Sequence, residues 1–235
     1  GNARFLQTGE EAIQILLKSA EVQEQGIGWR IQEEIPPMSG LAHGNSGILI
    51  PILALSKYTG RTMYEEIADK IWNYENSLYD SAINNWKDTR EQGKVVSSNP
   101  IGSVAWCHGA SGVLYSRILC YEFVENSKWK NRLELDIKRA YKKLKEYWKR
   151  DSDSLCHGNC GNLWILRIAQ EKMKEYGIPV KRDRDVELLK DELEEQIVHL
   201  LPQEQINFGF MNGYGGILYK RSYDTNATKN HIELI

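Results

Sequence analysis

Apolar positions along the chain fall into two rhythms. In the first, Leu133, Ile137, Ala140, Tyr141, Leu144 and Trp148 recur at helical spacing among Lys, Arg and Glu, which predicts an amphipathic helix with one wet face. Ile67, Ala68, Ile71 and Trp72 repeat that spacing, and Thr62 with Glu65 reads as a capping box at the start of the same helix. Glu11 to Ala20 and Val186 to Leu201 predict two further helices of this kind. In the second rhythm the polar interruptions thin out: Ile48 to Tyr58, Val113 to Val124, Leu163 to Ala169 and Ile217 to Tyr219 are more uniformly apolar. Helices that are apolar on most sides are buried ones. The two kinds alternate, which predicts a two-layer helical array with apolar helices inside and amphipathic ones covering them.

Each apolar run follows the same short pattern, His/Asn-Gly-x-x-Gly. It occurs as His43-Gly44-Asn45-Ser46-Gly47, His108-Gly109-Ala110-Ser111-Gly112, His157-Gly158-Asn159-Cys160-Gly161 and Asn212-Gly213-Tyr214-Gly215-Gly216. The intervals are 65, 49 and 55 residues, room for one helical hairpin and a loop each. Two glycines at a helix start permit a sharp turn and close backbone approach, and leave N–H groups facing a shared mouth. Two stretches break the rhythm. Ser77 to Pro100 holds Asn84-Asn85 between Ile83 and Trp86, a small hairpin or an ordered loop, and Glu24 to Pro37 reads as a polar connection. Either could cover the mouth; a plain linker is the simpler expectation for both.

Composition narrows the classes. The 235 residues suffice for one domain or part of a larger one. A net charge of −2 gives no electrostatic case for nucleic acid or an anionic membrane surface. No apolar stretch approaches the ~20 residues of a membrane span. Gly1-Asn2-Ala3-Arg4 has neither initiator Met nor the layout of an export signal, so the chain is expected to begin inside a longer one, whereas Asn226 to Ile235 reads as a natural terminus. Four cysteines, at 107, 120, 156 and 160, do not make a disulfide framework, so a reducing, cytoplasmic setting is expected.

In that setting a cysteine beside a histidine points to metal or catalysis. Cys107 precedes His108 and Cys156 precedes His157, both at the threshold of an inner helix. If the repeats superpose around a ring, Cys107, Cys156 and one adjacent histidine supply three ligands of the kind zinc takes, leaving a fourth position open for chemistry. By spacing alone the two pairs could supply four ligands, three or none, and two buried core thiols are the plain alternative. Cys160 is expected to face helix neighbours rather than metal, Cys120 to be core, and His199 and His231 to be surface residues. Trp106 is placed either to wall the site or simply to pack.

Trp106-Cys107-His108-Gly109, Cys156-His157-Gly158 with Asn162, and the upstream Gly40-Leu41-Ala42-His43-Gly44 together resemble the lanthionine synthetase C-like cyclase family, in the family's order from Gly40 to Tyr219. The histidine after the Trp-Cys pair is more similar to class II, bifunctional lanthipeptide synthetases, whose cyclase domain is C-terminal. The resemblance implies an all-α fold, an α/α toroid of seven inner and seven outer helices around zinc. Four of the seven repeats are present, so residues 1–235 would be the C-terminal portion of a cyclase domain, without its N-terminal repeats or any dehydratase domain. It implies Zn2+ held by Cys107, Cys156 and His157, His43 as the acid/base histidine, His108 as a second proton-transfer candidate, and Trp106 and Asn162 at the substrate pocket. Some positions depart from the pattern: Ser103 stands where some stand-alone cyclases carry arginine, Asn212 replaces the fourth histidine, and an upstream aspartate has no match.

The implied reaction is Michael addition of a cysteine thiol of a dehydrated precursor peptide to dehydroalanine or dehydrobutyrine, forming (methyl)lanthionine in lantibiotic biosynthesis. The metal would hold the thiol as thiolate, and a histidine would protonate the resulting enolate. Loss of His43 is therefore expected to be less damaging than loss of a zinc ligand. Two other readings stand beside it: a related protein that adds glutathione to dehydrated residues, and a non-catalytic zinc module that recognises peptide. No phosphate loop or kinase signature is present, so ATP-dependent dehydration is not encoded in this stretch.

Overall fold

A computed structural model describes residues 3–91, 101–179 and 209–225. The helix predicted over Val186 to Leu201, His199, His231 and the tail lie outside the described residues.

Seven helices are described. Four start at the glycine motifs: α2 (Asn45–Thr59), α4 (Ala110–Tyr121), α6 (Asn159–Glu175) and α7 (Tyr214–Thr225). Three amphipathic helices alternate with them: α1 (Ala3–Lys18), α3 (Thr62–Ser77) and α5 (Ser127–Tyr147). The inner helices pack in sequence, α2 on α4, α4 on α6 and α6 on α7, while α3 covers α2 and α5 covers α4. Burial matches the two rhythms. Eleven of the twelve residues of α4 are buried, whereas α5 buries one face, from Trp129 through Leu133, Ile137 and Ala140 to Leu144. The main core runs between these layers, and a smaller cluster of Leu155, Cys160, Trp164 and Ile217 joins α6 to α7. No helix among the described residues is long and apolar enough to cross a membrane.

Boundaries and connections depart from the sequence reading in three places. Helix α1 begins at Ala3, well before Glu11. The capping box at Thr62 does not form: Arg61 is the N-cap, no side chain caps it, and Glu65 instead accepts from Asn126 Nδ2 at 2.7 Å. Nor is Glu24 to Pro37 a plain polar connection. An antiparallel hairpin, β1 (Glu21–Gln23) with β2 (Gly26–Gly28), leads into Trp29, which is buried and donates from Nε1 to the Leu16 carbonyl at 2.9 Å. Within Ser77 to Pro100 the hairpin alternative is the one observed, with β3 (Tyr79–Asp80) pairing β4 (Asn85–Trp86) antiparallel. Asn84 takes the left-handed turn at φ +49°, and Trp86 is fully buried.

One charged residue sits inside the most buried helix. Arg117 of α4 is 0 % exposed; Nη2 donates to Glu75 Oε2 of α3 at 2.6 Å and Nε to Asp136 Oδ2 of α5 at 2.9 Å. This ionic triad ties an inner helix to both outer helices that flank it.

Candidate metal centre at the glycine thresholds

The residue immediately before each motif takes part in one backbone row. Ala42 N–H donates to the Cys107 carbonyl (3.1 Å), Cys107 N–H to the Cys156 carbonyl (3.4 Å), and Cys156 N–H to the Met211 carbonyl (2.9 Å). Each threshold is thus hydrogen-bonded to the next, and equivalent residues stand side by side. The helix starts are equally regular: Asn45 N–H donates to Met38 O, Ala110 N–H to Ser103 O and Asn159 N–H to Ser152 O, each seven residues back. At Gly109 this closure requires φ +80°, and a Cβ there would lie 1.9 Å from the Ser103 carbonyl oxygen. Gly40 (φ +102°) lies so close to the next threshold that a Cβ would stand 2.8 Å from His108 Cα.

The row brings Cys107 and Cys156 together. The two thiols lie close enough to shift one another's titration, and the His157 side chain is close enough to act on Cys156. The Cys107 side chain, with further help from His157, holds the Cys156 thiol below its ordinary range; the Cys156 side chain, and then burial, push Cys107 up. None of the four cysteines is joined in a disulfide. His157 is exposed, and His43 is half-buried and close enough to influence both Cys156 and His108. Two neighbouring thiols with a histidine beside one of them are the soft and borderline donors that suit zinc. Among the described residues, however, no three Cys, His, Asp or Glu side chains are already gathered into a shell that could hold a metal ion.

His108 stands at the same threshold but is 1 % exposed. Its Nδ1–H donates to the Ser39 carbonyl at 2.8 Å, which fixes the ring, and Nε2 stands 3.6 Å from Asp88 Oδ2. Burial pushes its titration down against the pull of that carboxylate. Asp88 is held in turn by Arg90, whose Nε and Nη2 donate at 2.9 and 2.6 Å.

The two expected pocket residues differ. Trp106 is half-buried and, with Tyr115, Trp164, Ile165 and Ile168, lines a small apolar cavity between α4 and α6. Asn162 is fully buried and its amide is engaged in the frame: Oδ1 accepts from Ser111 Oγ (2.8 Å), and Nδ2 donates to Trp148 O (2.7 Å) and Val104 O (3.2 Å). The amide thus ties the start of α6 to Ser111 of α4 and to the Val104 and Trp148 carbonyls. Cys160 packs with Leu155, Trp164 and Ile217, and Cys120 is buried within α4.

Sequence reasoning did not find Asp88, Glu75 or Arg117. Arg117 had a signal, a lone cation inside an apolar run. Asp136 had one too, since it shares the buried face of Leu133, Ile137 and Ala140. Asp88 follows a two-residue strand and carries no comparable mark.

The family model for lanthionine synthetase C-like proteins matches residues 4–231. Lacticin 481/lactococcin biosynthesis protein LcnDR2 of Lactococcus lactis subsp. lactis is 30% identical over 218 residues, which cover 89% of this chain and 22% of that protein. The chain therefore spans about a fifth of that relative's length. Among solved structures, nisin cyclase superposes with a TM-score of 0.58 and 21% identity, over 82% of this chain and 47% of the other. That likeness shows a shared fold, the α/α toroid.

Proposed function

We propose a function from one premise: this chain belongs to the lanthionine synthetase C-like family. The chain closes thioether rings in a dehydrated precursor peptide, adding a cysteine thiol to dehydroalanine or dehydrobutyrine, and does so with zinc in the cytoplasm. The observation that carries the reading is the backbone row, in which Cys107 and Cys156 meet with His157 on one thiol and His43 close by. Cys107, Cys156 and His157 would hold the metal. Bound there, zinc would keep the incoming peptide thiol as thiolate. His43 is the better donor of the proton that the enolate carbon takes up. It is half-buried and reachable, whereas His108 is enclosed and its Nδ1–H is already given to Ser39. His108 then serves to hold the His43 loop. Trp106 and its apolar neighbours would receive a side chain of the peptide.

The test is loss of free thiol from a dehydrated precursor peptide, read by mass spectrometry after thiol capping, with metal analysis of the same sample. Zinc near one per chain, ring closure that stops with a chelator and returns with zinc, and loss of both metal and closure in Cys156→Ala are expected. A chain that binds no zinc and whose activity ignores chelation would sink the reading. Stoichiometric zinc in Cys156→Ala would show that the ligands are others. Added glutathione appearing on the peptide would redirect it to intermolecular thiol addition.

A further inference from the structure

We infer that Glu75, clamped by Arg117, is a positioning residue that seats the His43 loop on the Cys107–His108 threshold; the inference rests on the cyclase reading above for its kinetic consequence.

Glu75 lies on an outer helix and is 0 % exposed, yet its carboxylate reaches three elements. Oε1 accepts from Gly40 N–H at 3.0 Å and from Ser46 Oγ at 2.7 Å, and Oε2 accepts from Arg117 Nη2 at 2.6 Å. Gly40 and Ser46 flank His43 on the two sides. The same segment makes the contacts to the next threshold: the Ser39 carbonyl, in the peptide bond to Gly40, accepts from His108 Nδ1–H, and Ala42 N–H, between Gly40 and Ser46, donates to Cys107 O. The Met38–Gly44 bridge closes the base of the loop. Glu75 therefore grips both ends of the segment that carries His43, with the contact to His108 beside one end and the contact to Cys107 in its middle.

The other motifs show that folding the loop does not demand such a group. The residue three before the motif histidine is Gly40 in the first repeat, Ala105 in the second and Ser154 in the third. Ala105 N–H donates to His108 O (3.1 Å) and Ser154 N–H to Ser152 Oγ (3.2 Å), both local partners. Ser111, the counterpart of Ser46, donates to the neutral Asn162 amide. Only at the His43 motif, among these three, does this amide reach a charged group on another helix. Burying a carboxylate and a guanidinium is costly, and apolar groups of similar volume are often at least as stabilising. Arg117 fixes the orientation of that carboxylate and is itself held by Asp136, whose Oδ2 also accepts from Trp72 Nε1 at 3.0 Å. Buried charge at this one motif is thus explained by placement of His43 rather than by cohesion.

Glu75→Gln keeps the side-chain shape and removes the charge. Two readouts decide. Amide hydrogen exchange at Gly40 and Ala42 should rise at least about tenfold, the factor that accompanies loss of one stabilising contact of ordinary size, while Ile137 and Leu144 amides keep their protection. In the cyclisation assay kcat should fall about tenfold to a hundredfold, as for a catalytic group displaced by a fraction of an ångström to an ångström, with KM and bound zinc unchanged. Should Glu75→Gln fail to fold, Ser46→Ala is measured in its place; it removes one donor, leaves the charges intact and should move both readouts the same way by less. Wild-type exchange and wild-type kcat would overturn the inference. So would exchange rising evenly through α2 to α5, which marks a merely structural residue. Exchange needs no peptide: loosening confined to the loop, in a protein whose wild type closes no rings, would keep the tie and overturn the cyclase reading.

Discussion

Cys156 and Cys120 have opposite surroundings in one small protein. Burial pushes the Cys120 thiol up to about 12, while the Cys107 side chain, aided by His157, holds Cys156 below its ordinary range. Thiolate is the reactive form, so modification speeds up as pH rises through the thiol's pKa; a depressed pKa moves that rise to lower pH, and a raised one moves it out of the neutral range. Metal-free protein treated with iodoacetamide near pH 7 should be labelled first at Cys156 and last at Cys120, with added zinc protecting Cys156. Peptide mapping over time checks the order, and equal rates at the two positions would contradict it. Both Cys-His pairs could be read in the sequence because two neighbouring residues carry the signal. Their mutual contact could not, since it depends on a hydrogen bond between segments 49 residues apart.

At the scale of the element, helix starts follow from a strict closure. At Gly109 an added methyl meets the Ser103 carbonyl oxygen at 1.9 Å and φ is +80°; at Gly60, φ is +66° but nothing lies within 4 Å. Gly60→Ala incurs only the left-handed strain, roughly 1–2 kcal/mol. Gly109→Ala adds a clash with backbone that cannot rotate away, for a total of roughly 2–5 kcal/mol. Urea unfolding of the two variants should rank them in that order, and equal midpoints would show that the threshold can relax. The four inner helices were legible because each start solves the same steric problem with the same residues. The hairpins were less so. Strands of two or three residues have too few positions to display alternation, and Trp29 is buried by contact with α1 rather than by any local pattern. The missing cap at Thr62 has the same origin: Glu65 finds its partner in Asn126, sixty-one residues away.

Across the whole molecule, Arg117 of α4 joins α3 and α5 through one buried cation. Arg117→Ala leaves Glu75 and Asp136 buried without their cation, which should cost about 3–5 kcal/mol. Urea unfolding, monitored by circular dichroism, would show a midpoint shift of that size; a change near zero would mean that water or rearranged neighbours satisfy both carboxylates. The layered architecture was readable as a whole because alternation of two rhythms is a global pattern. Which threshold stands beside which was not, since four similar motifs do not state their order around a mouth.

The backbone row of Ala42, Cys107, Cys156 and Met211 is drawn entirely from main-chain donors and acceptors. Side chains in that row are therefore free to change without unfastening it. The frame behaves as a rack with four equivalent slots, two of them loaded with sulfur and two fitted with blanks. A cysteine written into position 42 or 211 would take the next slot, so the chemistry of the mouth can be rewritten, by evolution or by design, while the scaffold stays as it is.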